Sequence, residues 1–291
     1  MPSAAWRAVL GEQPPPYTHV CSYELDADIP YPYTHLSAFV RRYKPMSRNH
    51  GMRQLAAKRH GAAIFFSVSN PLGQIVPNRL GFMQRLNASG VPLHSHGLAL
   101  RDDRYRKGAA ARRGANGTPQ GQRHLGTYVF AAAFENSVGI DYVTEKLFDL
   151  FAAASPLVPI YHGAPNIADY LPHRDAVIHV SDFDSAEALA WYVLRLAANH
   201  SLLWRRHLAW RESALPRRLR QLARLHDYPL GCSLCRCLAA NSTLCPRRDE
   251  VIELGGSRRS WITDPVGRGS PTRSEASRAT MISKRRRNAE M

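Results

Sequence analysis

The residues best suited to chemistry stand close together in one stretch. Glu135, Asn136, Asp141, Tyr142, Glu145 and Lys146 all fall within Tyr128–Phe151. A lysine supplies a compact positive charge, and an arginine such as Arg79, farther upstream, supplies a planar fork that takes two phosphate oxygens. Glutamates accept hydrogen bonds from adjacent hydroxyls. Such a set reads as a place for an anion.

The stretch itself reads as a buried strand, a polar turn and a helix. Val129 to Phe134 is continuously apolar, as in a strand covered on both faces. The turn holds Glu135, Asn136, Ser137 and Gly139. Asp141 reads as the N-cap of a helix with Val143, Leu147, Leu150, Phe151 and Ala154 at helical spacing. In an open α/β sheet, ligands sit at the carboxyl ends of strands, against helix N-termini whose N–H groups and dipole favour negative charge.

Further elements flank this centre. Ala62–Val68 reads as a strand ending in the turn Ser69-Asn-Pro-Leu-Gly73, and Pro77–Ala88 as a helix with Arg79 in its first turn. Val91–His96, Leu157–Tyr161 and Ala176–Val180 are further strands. Asn49–His60 and Asn166–Leu171 read as short helices. Asp184 reads as a cap with Glu187 three positions on, before a helix with Leu189, Tyr192, Val193 and Leu196 inside. Leu202, Trp204, Leu208 and Trp210 point to one more helix. Strands alternating with helices imply a parallel, doubly wound sheet. Residues 1–20 are Pro-rich, 21–45 read as a linker, and 102–123 as a mobile Arg/Ala/Gly loop.

The run Phe134-Glu-Asn-Ser…Asp141-Tyr-Val-Thr-Glu-Lys146 resembles the signature of the α1,3/4-fucosyltransferases, glycosyltransferase family 10, which are inverting enzymes using GDP-fucose. The likeness continues through Val158-Pro-Ile-Tyr-His-Gly163, Asp169-Tyr-Leu-Pro172, Ile178-His-Val-Ser-Asp-Phe183 and Trp210-Arg211. Upstream, Ser22–Pro30 and Phe66-Ser-Val-Ser69-Asn70 with Arg79 resemble two further blocks, so residues 20–237 are covered.

The resemblance implies an α/β fold: the Rossmann-like donor-binding half of a GT-B glycosyltransferase, with the N-terminal acceptor domain largely missing. The expected division is 1–58 as remnant and linker, 59–237 as the GDP-fucose-binding domain and 238–291 as a basic, disordered tail. It also implies that Glu135, Asn136, Tyr142, Glu145 and Lys146 line the donor pocket. Lys146 and Arg79 would meet the diphosphate, and Glu145 the ribose hydroxyls. Ser69 and Asn70 are weaker candidates. The catalytic base is not assigned; Glu24, Asp26 and Asp28 are carboxylates near the junction.

The expected reaction moves L-fucose from GDP-fucose to a GlcNAc-containing glycan or glycoprotein in an α1,3-type linkage. No cofactor is expected. Asp26-Ala-Asp28 and Asp182-Phe-Asp184 could hold Mn²⁺ or Mg²⁺, but Asp184 is better read as a cap and the family needs no such metal. A donor-binding fragment without transferase activity is the second reading.

The chain has 291 residues, 44% hydrophobic, enough to bury a core. Lys and Arg number 39 against 23 Asp and Glu, a formal charge of +16. That charge raises a basic nucleic-acid module as a third reading, but an aromatic ladder and zinc-finger spacing are lacking. Cys232, Cys235, Cys237 and Cys245 cluster, and Cys21 stands apart. The cluster reads as disulfides, with a Cys-x-x-Cys zinc knot as the alternative. Sequons at Asn87, Asn116, Asn199 and Asn241 lean toward a secretory lumen. The family is held in the Golgi by one N-terminal helix, an anchor not found in this sequence, where no run of 18 or more apolar residues occurs.

Overall fold

The computed structural model describes residues 21–27, 29–32, 36–66, 79–96, 125–153 and 155–226. Two short parallel strands, β1 (Cys21–Ser22) and β2 (Ile29–Pro30), precede helices α1 (Leu36–Arg42) and α2 (Arg48–Ala56). Then come β3 (His60–Phe66), α3 (Arg79–Ala88), β4 (Leu93–Ser95), β5 (Tyr128–Phe134), α4 (Glu145–Phe151) and β6 (Val158–His162). After β7 (Ile178–His179) follow α5 (Ala186–Ala197), α6 (His200–Leu203), a π-helical turn at Trp204–Leu208 and α7 (Arg217–Ala223).

Among the described residues, five strands form one parallel sheet in the order β4-β3-β5-β6-β7. The chain steps outward from β3 to β4, then returns past β3 to β5 and continues the other way. The strand order therefore reverses between β3 and β5. In open α/β sheets that reversal opens a crevice at the carboxyl edge.

Both faces of the sheet are covered, which is why β5 is apolar throughout. Tyr128, Ala131 and Ala133 pack with α1, α4 and α7 through Phe39, Leu147, Phe151, Leu219 and Leu222. Val129, Phe130 and Phe134 pack the other way with Met83, Leu86, Leu189, Val193 and Trp204. The second core requires a close approach: a Cβ on Gly51 would lie 2.0 Å from the Trp204 ring.

Several local expectations are corrected. The described residues of 21–45, expected to be a linker, pack into the core instead. Leu25, Leu36 and Phe39 are buried, and the Phe39 ring stacks on Phe148 at 6.5 Å and meets Phe151 at 5.5 Å. The helix expected over Asn49–His60 ends at Ala56, because Lys58 turns to donate to the Gly126 carbonyl at 2.8 Å and His60 pairs with Tyr128 as the start of β3. The strand expected over Ala176–Val180 is only Ile178–His179, flanked by 3₁₀ turns at Arg174–Ala176 and Val180–Asp182. Ser185, not Asp184, caps α5 by accepting from Ala188 N–H at 3.2 Å.

Candidate functional site

Glu135 and Asn136 follow β5 directly, and α3 begins with Arg79 beyond β3, so these residues face each other across the strand-order reversal. Arg79 Nη1 donates to Asn136 Oδ1 at 2.9 Å and to the Glu135 carbonyl at 3.4 Å. The arginine is only 8% exposed. Burial pulls its pKa below the ordinary guanidinium value, while Glu135 and Tyr142 pull it back.

The Glu135 side chain turns inward and is fully buried. Its carboxylate accepts from Thr144 N–H at 2.8 Å and from the Thr144 hydroxyl at 2.6 Å. Lys146 Nζ lies 3.5 Å from the same carboxylate and donates to Thr144 Oγ1 at 2.9 Å. Burial pushes the Glu135 pKa above the usual carboxylate value, although Lys146 and then the two Thr144 donors hold it down. Gly163, just past β6, makes room for this arrangement: a Cβ there would lie 2.5 Å from Glu135 Cγ and 2.5 Å from the Tyr161 hydroxyl. That hydroxyl accepts from Ala164 N–H at 2.9 Å, and burial raises its pKa.

Thr144 is the N-cap of α4; its hydroxyl accepts from Lys146 N–H at 3.4 Å. Asp141, the expected cap, lies three residues earlier with φ at 63°, the left-handed region. The expectation of exposed N–H groups at this helix start is met only in part. Thr144 N–H and Lys146 N–H already have internal acceptors, and α4 has only 7 residues.

The structure brings all six expected site residues to one edge, in two tiers. Glu135 lies underneath. Lys146 is partly exposed, its side chain 26% accessible, and Glu145 is exposed beside it with its carboxylate 3.3 Å from Lys146 Nζ. Tyr142 is half-buried, and the Tyr23 ring meets it edge-on at 5.4 Å. Val138 and Ile140 in the same loop are more than half exposed. The spacing did not single out Thr144 or Gly163. A threonine immediately before the acidic first turn of a helix is the signal for the former.

The remaining sequence candidates are scattered. Ser69, Asn70, Asp28, Asn116, Asn241 and the four clustered cysteines lie outside the described residues. Cys21 is a free, exposed thiol. Asn87 and Asn199 are exposed; Asn87 Oδ1 accepts from Leu93 N–H and Asn199 Oδ1 from Leu202 N–H, leaving the amide nitrogens outside those bonds. Arg211 is buried at the opposite edge of the sheet, 4.8 Å from the Trp210 ring centroid and within 3.5 Å of the Phe151 carbonyl, with burial lowering its pKa to about 10. Among the described residues no group of three His, Cys, Asp or Glu side chains converges as a metal set, and no helix is long and apolar enough to cross a membrane.

The chain is similar in sequence to several known fucosyltransferases. GDP-fucose protein O-fucosyltransferase 3 of Xenopus laevis is 45% identical over 78 residues, 27% of this chain and 16% of that protein. The Mus musculus protein of the same name is 32% identical over 136 residues, 42% of this chain and 28% of that protein. Alpha-(1,3)-fucosyltransferase B of Drosophila melanogaster is 36% identical over 101 residues, 35% of this chain and 21% of that protein. The matches thus span less than a third of these relatives. A solved α1,3-fucosyltransferase with GDP-fucose superposes with a TM-score of 0.42 at 25% identity, covering 56% of this chain and 40% of that one. A family model described as glycosyltransferase family 10 (fucosyltransferase) C-term matches residues 56–250, and on that match the chain belongs to glycosyltransferase family 10, the fucosyltransferases.

Proposed function

We propose that the carboxyl edge of β3 and β5 holds GDP-fucose and that the chain serves inverting transfer of L-fucose to a hydroxyl of a GlcNAc-containing glycan or glycoprotein. One observation carries the reading: Arg79 and Asn136 are hydrogen-bonded at 2.9 Å across the point where the strand order reverses. Lys146 supplies a second cation at the same carboxyl end of β5, from the helix on the opposite face of the sheet. As the glycosidic bond breaks, negative charge builds on the diphosphate. Cations already fixed beside it stabilise that charge without reorganising.

Each residue has a distinct part in this reading. Arg79 and Lys146 meet the diphosphate. Tyr142 lies against the nucleotide, and Glu145 accepts from the ribose hydroxyls. Glu135 works from below, orienting Thr144 and Lys146. The reading assigns no metal to the site; Arg79 and Lys146 are the cations it places beside the leaving diphosphate. A Golgi-lumen setting accompanies the reading and is supported by the exposed sequons Asn87 and Asn199.

A second acceptor class is a hydroxyl on a polypeptide. Two observations favour it: relatives whose names specify protein O-fucosylation, and the apolar pair Val138 and Ile140 exposed at 52% and 53% beside the site. Calorimetric titration with GDP, followed by transfer assays on a GlcNAc-terminated glycan and on a folded polypeptide, tests both. Lys146→Ala is expected to weaken GDP by about 10- to 100-fold, the loss of one charge-assisted contact of ~1.5–3 kcal/mol. Unchanged affinity would remove the donor reading. Fucose appearing on one acceptor and not the other would choose between the classes.

A further inference from the structure

Asp141 has none of the marks of a residue kept for convenience. It is non-glycine with φ at 63°, and it is 1% exposed. A buried carboxylate in a left-handed backbone persists only where its surroundings demand it. Here two other chain segments meet on it. Its Oδ2 accepts from Leu25 N–H at 2.9 Å. Its Oδ1 accepts from Asn166 Nδ2 at 2.6 Å and from the Tyr170 hydroxyl at 3.1 Å. In return, Asp141 N–H donates to Asn166 Oδ1 at 2.9 Å, so the two residues are doubly joined.

These bonds tie the β5–α4 loop to what surrounds it. Asn166 also donates to Asp169, which forms an ion pair with Arg218 at the start of α7. The Leu25 bond draws residues 21–27 onto the loop, and within that segment Tyr23 sets its ring edge against Tyr142. The loop has little burial of its own between Asn136 and Asp141, since Val138 and Ile140 face outward. Its shape is held at two places: by Glu135 on Thr144 at one end, and by Asp141 in the middle.

We propose that Asp141 is a positioning residue for the nucleotide, setting Tyr142 and Asn136 by clamping the β5–α4 loop to Leu25, Asn166 and Tyr170. The inference rests on the reading of this loop as the donor site, and it assigns Asp141 no contact with the ligand. The clamp explains why an acidic residue is used rather than the glycine that φ alone would favour. Only a carboxylate accepts from three donors at once.

Asp141→Asn is the test, because asparagine tolerates the same backbone and has nearly the same volume. One of its side-chain atoms then becomes an NH₂ that faces a donor. Hydrogen exchange should quicken at Leu25 and through Asn136–Thr144 by about tenfold, the loss of one hydrogen bond, while the strands keep their protection. GDP, titrated well below the thermal midpoint, should bind about tenfold more weakly. Tyr170→Phe removes only the 3.1 Å bond and should move both readouts the same way by a smaller factor. Faster exchange with unchanged GDP affinity would reduce Asp141 to a brace and overturn the proposal, as would unchanged exchange. A wild-type chain that binds no GDP would instead remove the donor reading, and the exchange pattern would still decide whether Asp141 sets the loop.

Discussion

Thr144→Val isolates the hydroxyl on which the site turns. Valine keeps the shape of threonine and removes three interactions: the 2.6 Å donation to Glu135, the 2.9 Å bond received from Lys146 Nζ and the 3.4 Å cap on Lys146 N–H. Losing an N-cap costs about 1 kcal/mol. Taking a donor from a buried carboxylate costs roughly 1.5–3 kcal/mol. The two overlap in one atom, so the expected loss is about 2–4 kcal/mol. At ~2–4 °C per kcal/mol for a domain of this size, the thermal midpoint should fall by roughly 5–15 °C.

The same substitution has a pH signature. Glu135 is raised above its ordinary 4.5 by burial. A carboxyl raised in the folded state favours folding when protonated, and that advantage is lost as pH climbs from 4.5 through the folded value. Without the Thr144 hydroxyl the folded value rises further, so the fall in stability should extend to higher pH. Guanidinium denaturation of both proteins at a series of pH values measures this directly. A loss under about 0.5 kcal/mol, the scale of an ordinary surface change, together with an unshifted pH curve, would refute the account of Glu135 and Thr144.

Three more outcomes follow from the same geometry. Gly163→Ala should cost about 1–3 kcal/mol by overpacking and also weaken GDP, since its methyl group pushes on Glu135 Cγ; calorimetry on the folded protein separates the two effects. Gly51→Ala forces a methyl group into the Trp204 ring and should lower the thermal midpoint by a similar energy, about 1–3 kcal/mol, while leaving the GDP affinity of the folded protein unchanged. Burial lowers the His207 pKa, while the Asp175 carbonyl, which accepts from Nδ1–H at 2.7 Å, raises it; Nε2 lies 2.8 Å from the Tyr192 hydroxyl. A histidine lowered in the fold loses stability as pH falls from the ordinary 6.5 through the folded value, so His207→Asn should flatten the acid side of the stability curve measured by thermal unfolding.

What could be read from the chain beforehand depended on how local its cause was. The strand Tyr128–Phe134 was legible because burial on both faces leaves an unbroken apolar run. That six candidate residues would gather at one edge was legible in part because five of them follow one strand. The helix cap was not. Asp141 and Thr144 are both good caps by type, and the choice was made by Leu25, which lies 116 residues away in sequence, and by Asn166, which lies 25 away. Residues 36–42, within the 21–45 stretch read as a linker, gave no local sign of burial because the aromatic partners of Phe39 come from α4. Strand order, and with it the reversal that places Arg79 against Asn136, rests on pairings that no local pattern encodes.

The inward-turned Glu135 has one more consequence. Arg79 and Lys146 bring two formal positive charges to the site, and Glu135 and Glu145 bring two negative ones, so the pocket is locally neutral. On the donor reading, a diphosphate is then drawn in less by the pocket than by the +16 of the whole chain, a field that mobile ions screen over about 8 Å at physiological ionic strength. Added salt should therefore slow the arrival of a nucleotide much more than it hastens departure, because departure is governed by short, partly buried contacts.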